Sequence, residues 1–178
     1  MRPLNDNVLV ELDSRDEMIG LIHVPEAHRR RPSFGTVTQT GPIASVAVGD
    51  RVCFSPLSTK DIEKENGHHT VLLRDSELMA RVVKGELHPF DDRVVLSIRA
   101  NEEKIGSIYL AEIHRESSHQ ADVIAVGPGR LMDNGSRLPV SVAVGECVII
   151  GEWAGFEIEF DGKTYRIVRE EEIVGVCE

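Results

Sequence analysis

Apolar and polar residues alternate along this chain in short runs, and the runs recur. Val8, Val10 and Leu12 take every second position of Asn7–Leu12, and Val94, Leu96 and Ile98 do the same 86 residues later. A period of two over such a span predicts a strand with one face in a core. Gly35–Thr40 and Ala121–Val126 align at the same offset, and each reads as a strand ending in a Gly-Pro turn, Gly41-Pro42 and Gly127-Pro128. The copies then diverge. Ser-Val-Ala-Val-Gly recurs at Ser45–Gly49 and Ser141–Gly145, now offset by 96, so the second copy holds ten extra residues. Those residues contain Asp133-Asn134-Gly135. Asn-Gly between short runs predicts a hairpin, because both residues accept positive φ.

The later elements also match in pairs. Arg51–Phe54 and Cys147–Ile150 read as strands, each followed by a polar hairpin. Asp161-Gly162 turns the hairpin of the second copy, and Asn66-Gly67 that of the first. Acidic turns then lead into closing strands, Arg74–Ala80 and Arg169–Gly175. Many short strands with turns at close spacing predict an all-β chain of two tandem small β-barrels, residues 1–85 and 86–178. Only the second carries the extra hairpin. Barrels of this size hold little core, so association through their edge strands is expected.

One stretch in each copy breaks the strand pattern. Asn101–Glu112 runs from polar residues through Gly106-Ser107 to Ile108-Tyr109-Leu110 and back to polar sequence. The apolar cluster is too short for a helix face and does not alternate. Glycine beside serine, with charge on both sides, predicts a surface loop. The bland alternative is a strand end tucked into the core. The earlier copy repeats the arrangement as Gly20-Leu21-Ile22-His23-Val24-Pro25, also after a charged run. Two such stretches at equivalent places favour an apolar tripeptide displayed by each module.

Composition narrows the function. Aromatic residues make up 4%, so the cores are built from Val, Ile and Leu. A net charge of −10, with −2 on residues 1–86 and −8 on the rest, argues against nucleic-acid binding. Three cysteines, Cys53, Cys147 and Cys177, form no CxxC, and their odd number predicts buried or inert thiols in a reducing compartment. No apolar run is long enough to span a membrane. The sequence passes from Met1 straight into a strand pattern, which predicts no signal or transit peptide and a cytoplasmic location.

A search for reaction chemistry finds no active site. There is no Ser/His/Asp set in recognisable context, no HExxH and no Walker loop. Gly127-Pro128-Gly129 begins like a dinucleotide fingerprint, but Met132 replaces its third glycine and no helix pattern follows. His68-His69 with Cys53 is a weak metal candidate, because adjacent histidines on a polar hairpin are usually solvated. Asp91-Asp92 and Glu170-Glu171-Glu172 lie at strand entries or turns, where acids are common. Arg29-Arg30-Arg31 reads as a solvated loop end rather than an anion site. No catalytic residue, metal site or directly bound cofactor is expected.

In order along the chain, Arg-Pro-Leu-x-Asp-x-Val, Gly-x-Ile-x-Val-Pro, Val-Gly-Pro-Gly-Arg, the Asn-Gly hairpin, Val-x-Val-Gly-Glu and Arg-Glu-x-Glu-Ile-x-Gly-Val resemble the GroES-like co-chaperonins (chaperonin 10). The resemblance covers nearly the whole chain twice and is stronger in the second copy. It implies that Gly20, Leu21, Ile22, His23, Val24 and Pro25, and Gly106, Ser107, Ile108, Tyr109 and Leu110, form mobile loops that dock on a GroEL-like chaperonin (chaperonin 60). That partner uses ATP. Asp133, Asn134 and Gly135 would tip a roof hairpin, and Trp153 would take the place of an aromatic near the dome interior. The first strand of one subunit would pair with the last strand of its neighbour to form a ring. Two departures stand out. The first copy lacks the hairpin and an aromatic matching Trp153, and His23 sits inside its tripeptide. The alternative is a ring or scaffold protein without a chaperonin partner. The zinc alcohol dehydrogenases share the barrel, but the chain shows neither their nucleotide-binding domain nor their cysteine-rich metal site.

Overall fold

The computed structural model describes residues 2–13, 18–19, 22–23, 33–58, 60–65, 68–99, 104–105, 108–109 and 119–177. Its contacts divide the chain into two units, Met1–Leu87 and His88–Glu178. No α-helix occurs among the described residues, and none is long and apolar enough to cross a membrane.

The first unit is built on one antiparallel sheet. Its strands are β1 (Asn7–Leu12), β4 (Phe34–Thr40), β5 (Arg51–Phe54), β6 (Lys60–Glu65), β7 (His68–Arg74), β8 (Leu78–Val83) and β9 (Glu86–Pro89), the last running past the unit boundary at Leu87. They lie in the order β6-β7-β1-β4-β5-β8-β9. The second unit repeats six of them with β10 (Arg93–Ile98), β13 (Gln120–Val126), β16 (Cys147–Ile150), β17 (Phe156–Phe160), β18 (Lys163–Arg169) and β19 (Ile173–Val176). Their order, β17-β18-β10-β13-β16-β19, is that of the first unit without its seventh strand. Near the module boundary expected at Lys84-Gly85-Glu86, Lys84 and Gly85 have positive φ (53° and 83°) and form the two-residue turn from β8 into β9.

No helix covers either sheet among the described residues, so each core must be closed by the curl of its own sheet. Bulges supply local bending and twist. The ladder register shifts between Leu9 and Val10 and between Val95 and Leu96, equivalent positions in the two copies. It shifts again between Cys53 and Phe54 and between Ile149 and Ile150, also equivalent. In the second unit, Val94, Leu96, Ala121, Val123, Val148, Ile150 and Val168 form the core with Val142 and Ala154 from the turns. The predicted alternation holds only in part. Leu9 and Val95 are buried beside their neighbours, while Leu12 and Ile98 are only half-buried. Val95 and its cross-strand partner Ile167 are buried outside the core cluster, on the face the sequence assigned to solvent.

Acidic side chains secure the turns in parallel ways. Ser45 donates from its backbone N–H and its hydroxyl to Asp75 Oδ1 (3.1 and 2.9 Å), and Ser141 donates likewise to Glu170 Oε1 (2.8 and 2.6 Å). Glu77 and Glu172 each accept the backbone N–H at the start of their own 3₁₀ turn, from Arg74 and Arg169 (both 2.7 Å). The acidic closing motifs are therefore hydrogen-bond acceptors built into the fold.

Candidate partner-binding site

Each unit sends out one long excursion from the end of a closed ladder. The β1–β4 ladder ends at Leu12↔Gly35, followed by Asp13 N–H donating to Phe34 O at 3.1 Å. The β10–β13 ladder ends at Ile98↔Ala121, followed by Arg99 N–H donating to Gln120 O at 3.0 Å. Residues 14–33 and 100–119 lie between these closing bonds and are equal in length.

Two short ladders lie within the excursions. β2 (Met18–Ile19) pairs with β3 (Ile22–His23), with Ile19 opposite Ile22 and Met18 opposite His23. β11 (Lys104–Ile105) pairs with β12 (Ile108–Tyr109), with Ile105 opposite Ile108 and Lys104 opposite Tyr109. The sequence predicts a surface loop here, with a strand end as the alternative. Strands of two residues are too short to reveal a period, so alternation gave no sign of them. Of the predicted loop residues, Ile22, His23, Ile108 and Tyr109 lie in these strands. Gly20, Leu21, Val24, Pro25, Gly106, Ser107 and Leu110 lie outside the described residues, as do Arg29, Arg30 and Arg31.

An arginine–aspartate pair stands at the root of each excursion, and the wiring differs between copies. Arg51 Nη2 meets Asp13 Oδ2 at 2.6 Å, with its guanidinium 5.4 Å from the Phe34 ring centre. Arg99 donates to both oxygens of Asp122, from Nε at 3.0 and 3.1 Å and from Nη2 to Oδ1 at 2.6 Å. These hydrogen bonds hold the Asp122 carboxyl below its usual range and raise Arg99. Sequence reasoning missed both pairs. Asp13 and Arg99 occupy equivalent positions with opposite charge, so the repeat itself masked them.

The extra hairpin of the second copy consists of β14 (Arg130–Leu131) and β15 (Arg137–Leu138), in register Arg130↔Leu138 and Leu131↔Arg137. Its tip differs from the two-residue turn predicted. Gly135 N–H donates to Met132 O and Met132 N–H to Ser136 O (both 2.9 Å), so Asp133, Asn134 and Gly135 form a three-residue loop. Only Gly135 has positive φ (79°). Asn134 instead uses Oδ1 to accept the Ser136 N–H (2.9 Å) and hydroxyl (2.6 Å). A type I turn closed by a left-handed glycine fits this geometry. Leu131, Met132 and Leu138 are exposed. In the first unit the chain runs from Thr40 to Arg51 with no strand between them. Trp153 is 88% exposed, and Leu57, at the 96-residue offset, is 90% exposed, so both copies present a bulky apolar side chain there.

Other candidate chemistry resolves into structure. Burial pushes the Cys53 thiol up to about 12, which keeps it neutral and a poor ligand. No group of three His, Cys, Asp or Glu that could hold a metal occurs among the described residues. Asp91 contacts Arg93 (3.8 Å) and Arg137 (3.4 Å), while Asp92 is buried. Gly129, in the fingerprint-like run, has φ of 98° and leads into β14 rather than a helix.

A family model described as "Chaperonin 10 Kd subunit" matches the chain twice, over residues 1–82 and 86–177. A co-chaperonin GroES of Ligilactobacillus salivarius is 41% identical over 93 residues, 52% of this chain and 99% of that protein. A co-chaperonin GroES 1 of Rhodopirellula baltica is 44% identical over 97 residues, 54% of this chain and 96% of that protein. A co-chaperonin GroES of Methylacidiphilum infernorum is 36% identical over 98 residues, 54% of this chain and 99% of that protein. Each relative is matched along almost its whole length by about half of this chain. These similarities support a co-chaperonin role, which is not an enzymatic one. With the family's unit present twice over equivalent sheets, the chain belongs to the chaperonin 10 family.

Proposed function

We propose that this protein caps a chaperonin ring and assists protein folding, docking through Ile22-His23-Val24 and Ile108-Tyr109-Leu110. The observation that carries the reading is the pair of equal-length segments, rooted at equivalent ladder ends and each holding a short ladder with one isoleucine pair. Burying three apolar side chains yields about 1.5–3 kcal/mol each. Ordering backbone costs about 1–2 kcal/mol per residue. One loop therefore binds weakly, and several loops on one assembly bind usefully through effective concentration. Weak single contacts permit release, which a lid that cycles requires. The chaperonin supplies the ATP hydrolysis, and this chain binds no cofactor itself.

Self-association into a ring through edge strands belongs to the same reading. β19 is an edge strand, and its ladder groups are suited to pairing with an extended segment of another copy. The hairpin of Asp133, Asn134 and Gly135 forms part of the roof over the chamber, at the second module only. The protein works in the cytoplasm with its chaperonin.

Native mass of the full chain tests the proposal, alone and then with a chaperonin ring plus ATP or ADP. The expected result is a ring-sized oligomer that joins the chaperonin only when nucleotide is present. A stable oligomer that ignores the chaperonin under every nucleotide overturns it and leaves a scaffold as the better account.

A further inference from the structure

Cys147 and Cys177 lie beyond the proposed docking loops and the hairpin. Cys147 opens β16, and Cys177 directly follows β19, the edge strand of its sheet. Val148 and Val176 are ladder partners, and Cys177 N–H donates to Cys147 O at 2.7 Å, so the two cysteines are the next opposed pair. Their Sγ atoms are 2.7 Å apart. Opposed residues in an antiparallel ladder have Cα atoms about 4.5–5.5 Å apart, within the window a disulfide accepts. Both thiols are half-exposed and free, whereas Cys53 is buried. Asp122, the ladder partner of Cys147, carries the Arg99 guanidinium beside the pair.

We propose that Cys147 and Cys177 form a reversible thiol–disulfide latch that pins the edge strand β19 to β16. A low-molecular-weight disulfide, RSSR, is the oxidant. One cysteine thiolate attacks a sulfur of RSSR, expelling one thiolate and forming a mixed disulfide. The second cysteine, as thiolate, attacks the protein sulfur of that bond and expels the other. The protein dithiol is oxidised by two electrons. RSSR is reduced to two RSH, which take up the two protons.

The latch acts on a strand that needs it. β19 is four residues long and paired on one side within this sheet, so its amides open more readily than those of central strands. The hydrogen bond to Cys177, and then desolvation, hold the Cys147 thiol above its usual range, while Arg99 pulls it down. Attack by thiolate is accordingly faster at mildly alkaline pH.

The full-length protein is reduced, freed of reductant and incubated with oxidised glutathione, without denaturant. Peptide mapping under non-reducing conditions, with free thiols blocked first, is the readout. A Cys147–Cys177 cross-link that dithiothreitol reverses, with Cys53 still reduced, supports the latch. Hydrogen exchange at Gly175 and Cys177, whose N–H groups face β16, should then slow by at least about tenfold. In Cys177→Ser, glutathione should stay attached to Cys147, because the resolving thiol is gone. The proposal is overturned by stable glutathione adducts on both native cysteines, by cross-links between chains only, or by a bond that forms only after unfolding in urea. An internal cross-link that leaves β19 exchange unchanged overturns the pinning role.

Discussion

Replacing Gly127 by alanine probes how the strand entry and the Gly-Pro turn are fitted together. Gly127 does not need left-handed backbone, since its φ is not positive. It needs space. A Cβ there would press on the carbonyl oxygen of Asp91 and lie 3.0 Å from that of Arg93. Both obstacles are backbone, and Asp91 itself sits at φ of 49°. Relief by movement would disturb two hydrogen bonds, Gly127 N–H to Arg93 O and Gly129 N–H to Asp91 O, both 2.9 Å. Overpacking costs about 1–3 kcal/mol. Each weakened hydrogen bond adds about 1 kcal/mol. The stiffer unfolded chain returns about 0.4–1 kcal/mol. The net loss for Gly127→Ala is therefore about 2–4.6 kcal/mol, or roughly 8–37 °C in the Tm of a unit of this size. Gly41→Ala should behave alike in the first unit, because its Cβ would press on Asn5 O and lie 3.2 Å from Asn7 O. Gly151→Ala is the control, since the nearest atom to its Cβ is Ala154 Cβ at 4.0 Å. Urea unfolding followed by circular dichroism gives the loss, and peptide-resolved hydrogen exchange assigns it to a unit. If Gly127→Ala and Gly41→Ala are as stable as Gly151→Ala, the close-approach argument is wrong.

Three other outcomes follow from the same geometry. Ile108→Ser with Leu110→Ser should leave the Tm within about 2 °C and abolish nucleotide-dependent co-migration with a chaperonin ring, whereas a scaffold would be indifferent to the change. Glu170→Ala removes the acceptor for the Ser141 N–H and hydroxyl and should cost about 1 kcal/mol in urea unfolding, as should Asp75→Ala with Ser45. Burial raises the Cys53 thiol from 9.0 to about 12, so the unfolded chain releases that proton first as pH rises. This contribution is fully present below about pH 9 and is lost towards pH 12, so the fall in stability over that window should be shallower in Cys53→Ala than in the parent.

Period-two runs made the strands of both copies legible, and the 86- and 96-residue offsets made the duplication legible. Asp161-Gly162 was readable as a turn because both residues accept positive φ, and both adopt it (51° and 69°). The same rule misjudged Asn134, whose side chain accepts two hydrogen bonds from Ser136 while its backbone stays out of the left-handed region. The positive φ of Lys84 (53°) was not readable in this way, because lysine gives little local sign of it.

The sequence by itself determined the class of fold, the doubling and the place of the two apolar tripeptides, because periodicity, turn chemistry and repetition are local properties. Tertiary structure alone decided which distant side chains meet. Leu9 and Val95 are buried because side chains from elsewhere in the fold cover the second face of their strands. Asp13 reaches Arg51 past the intervening β4 in one copy, and Arg99 reaches Asp122 between the neighbouring strands β10 and β13 in the other. Cys147 and Cys177, thirty residues apart, become neighbours only because β16 and β19 run antiparallel in one register. Register is set by the packing of a whole sheet face, and no short window of sequence contains it.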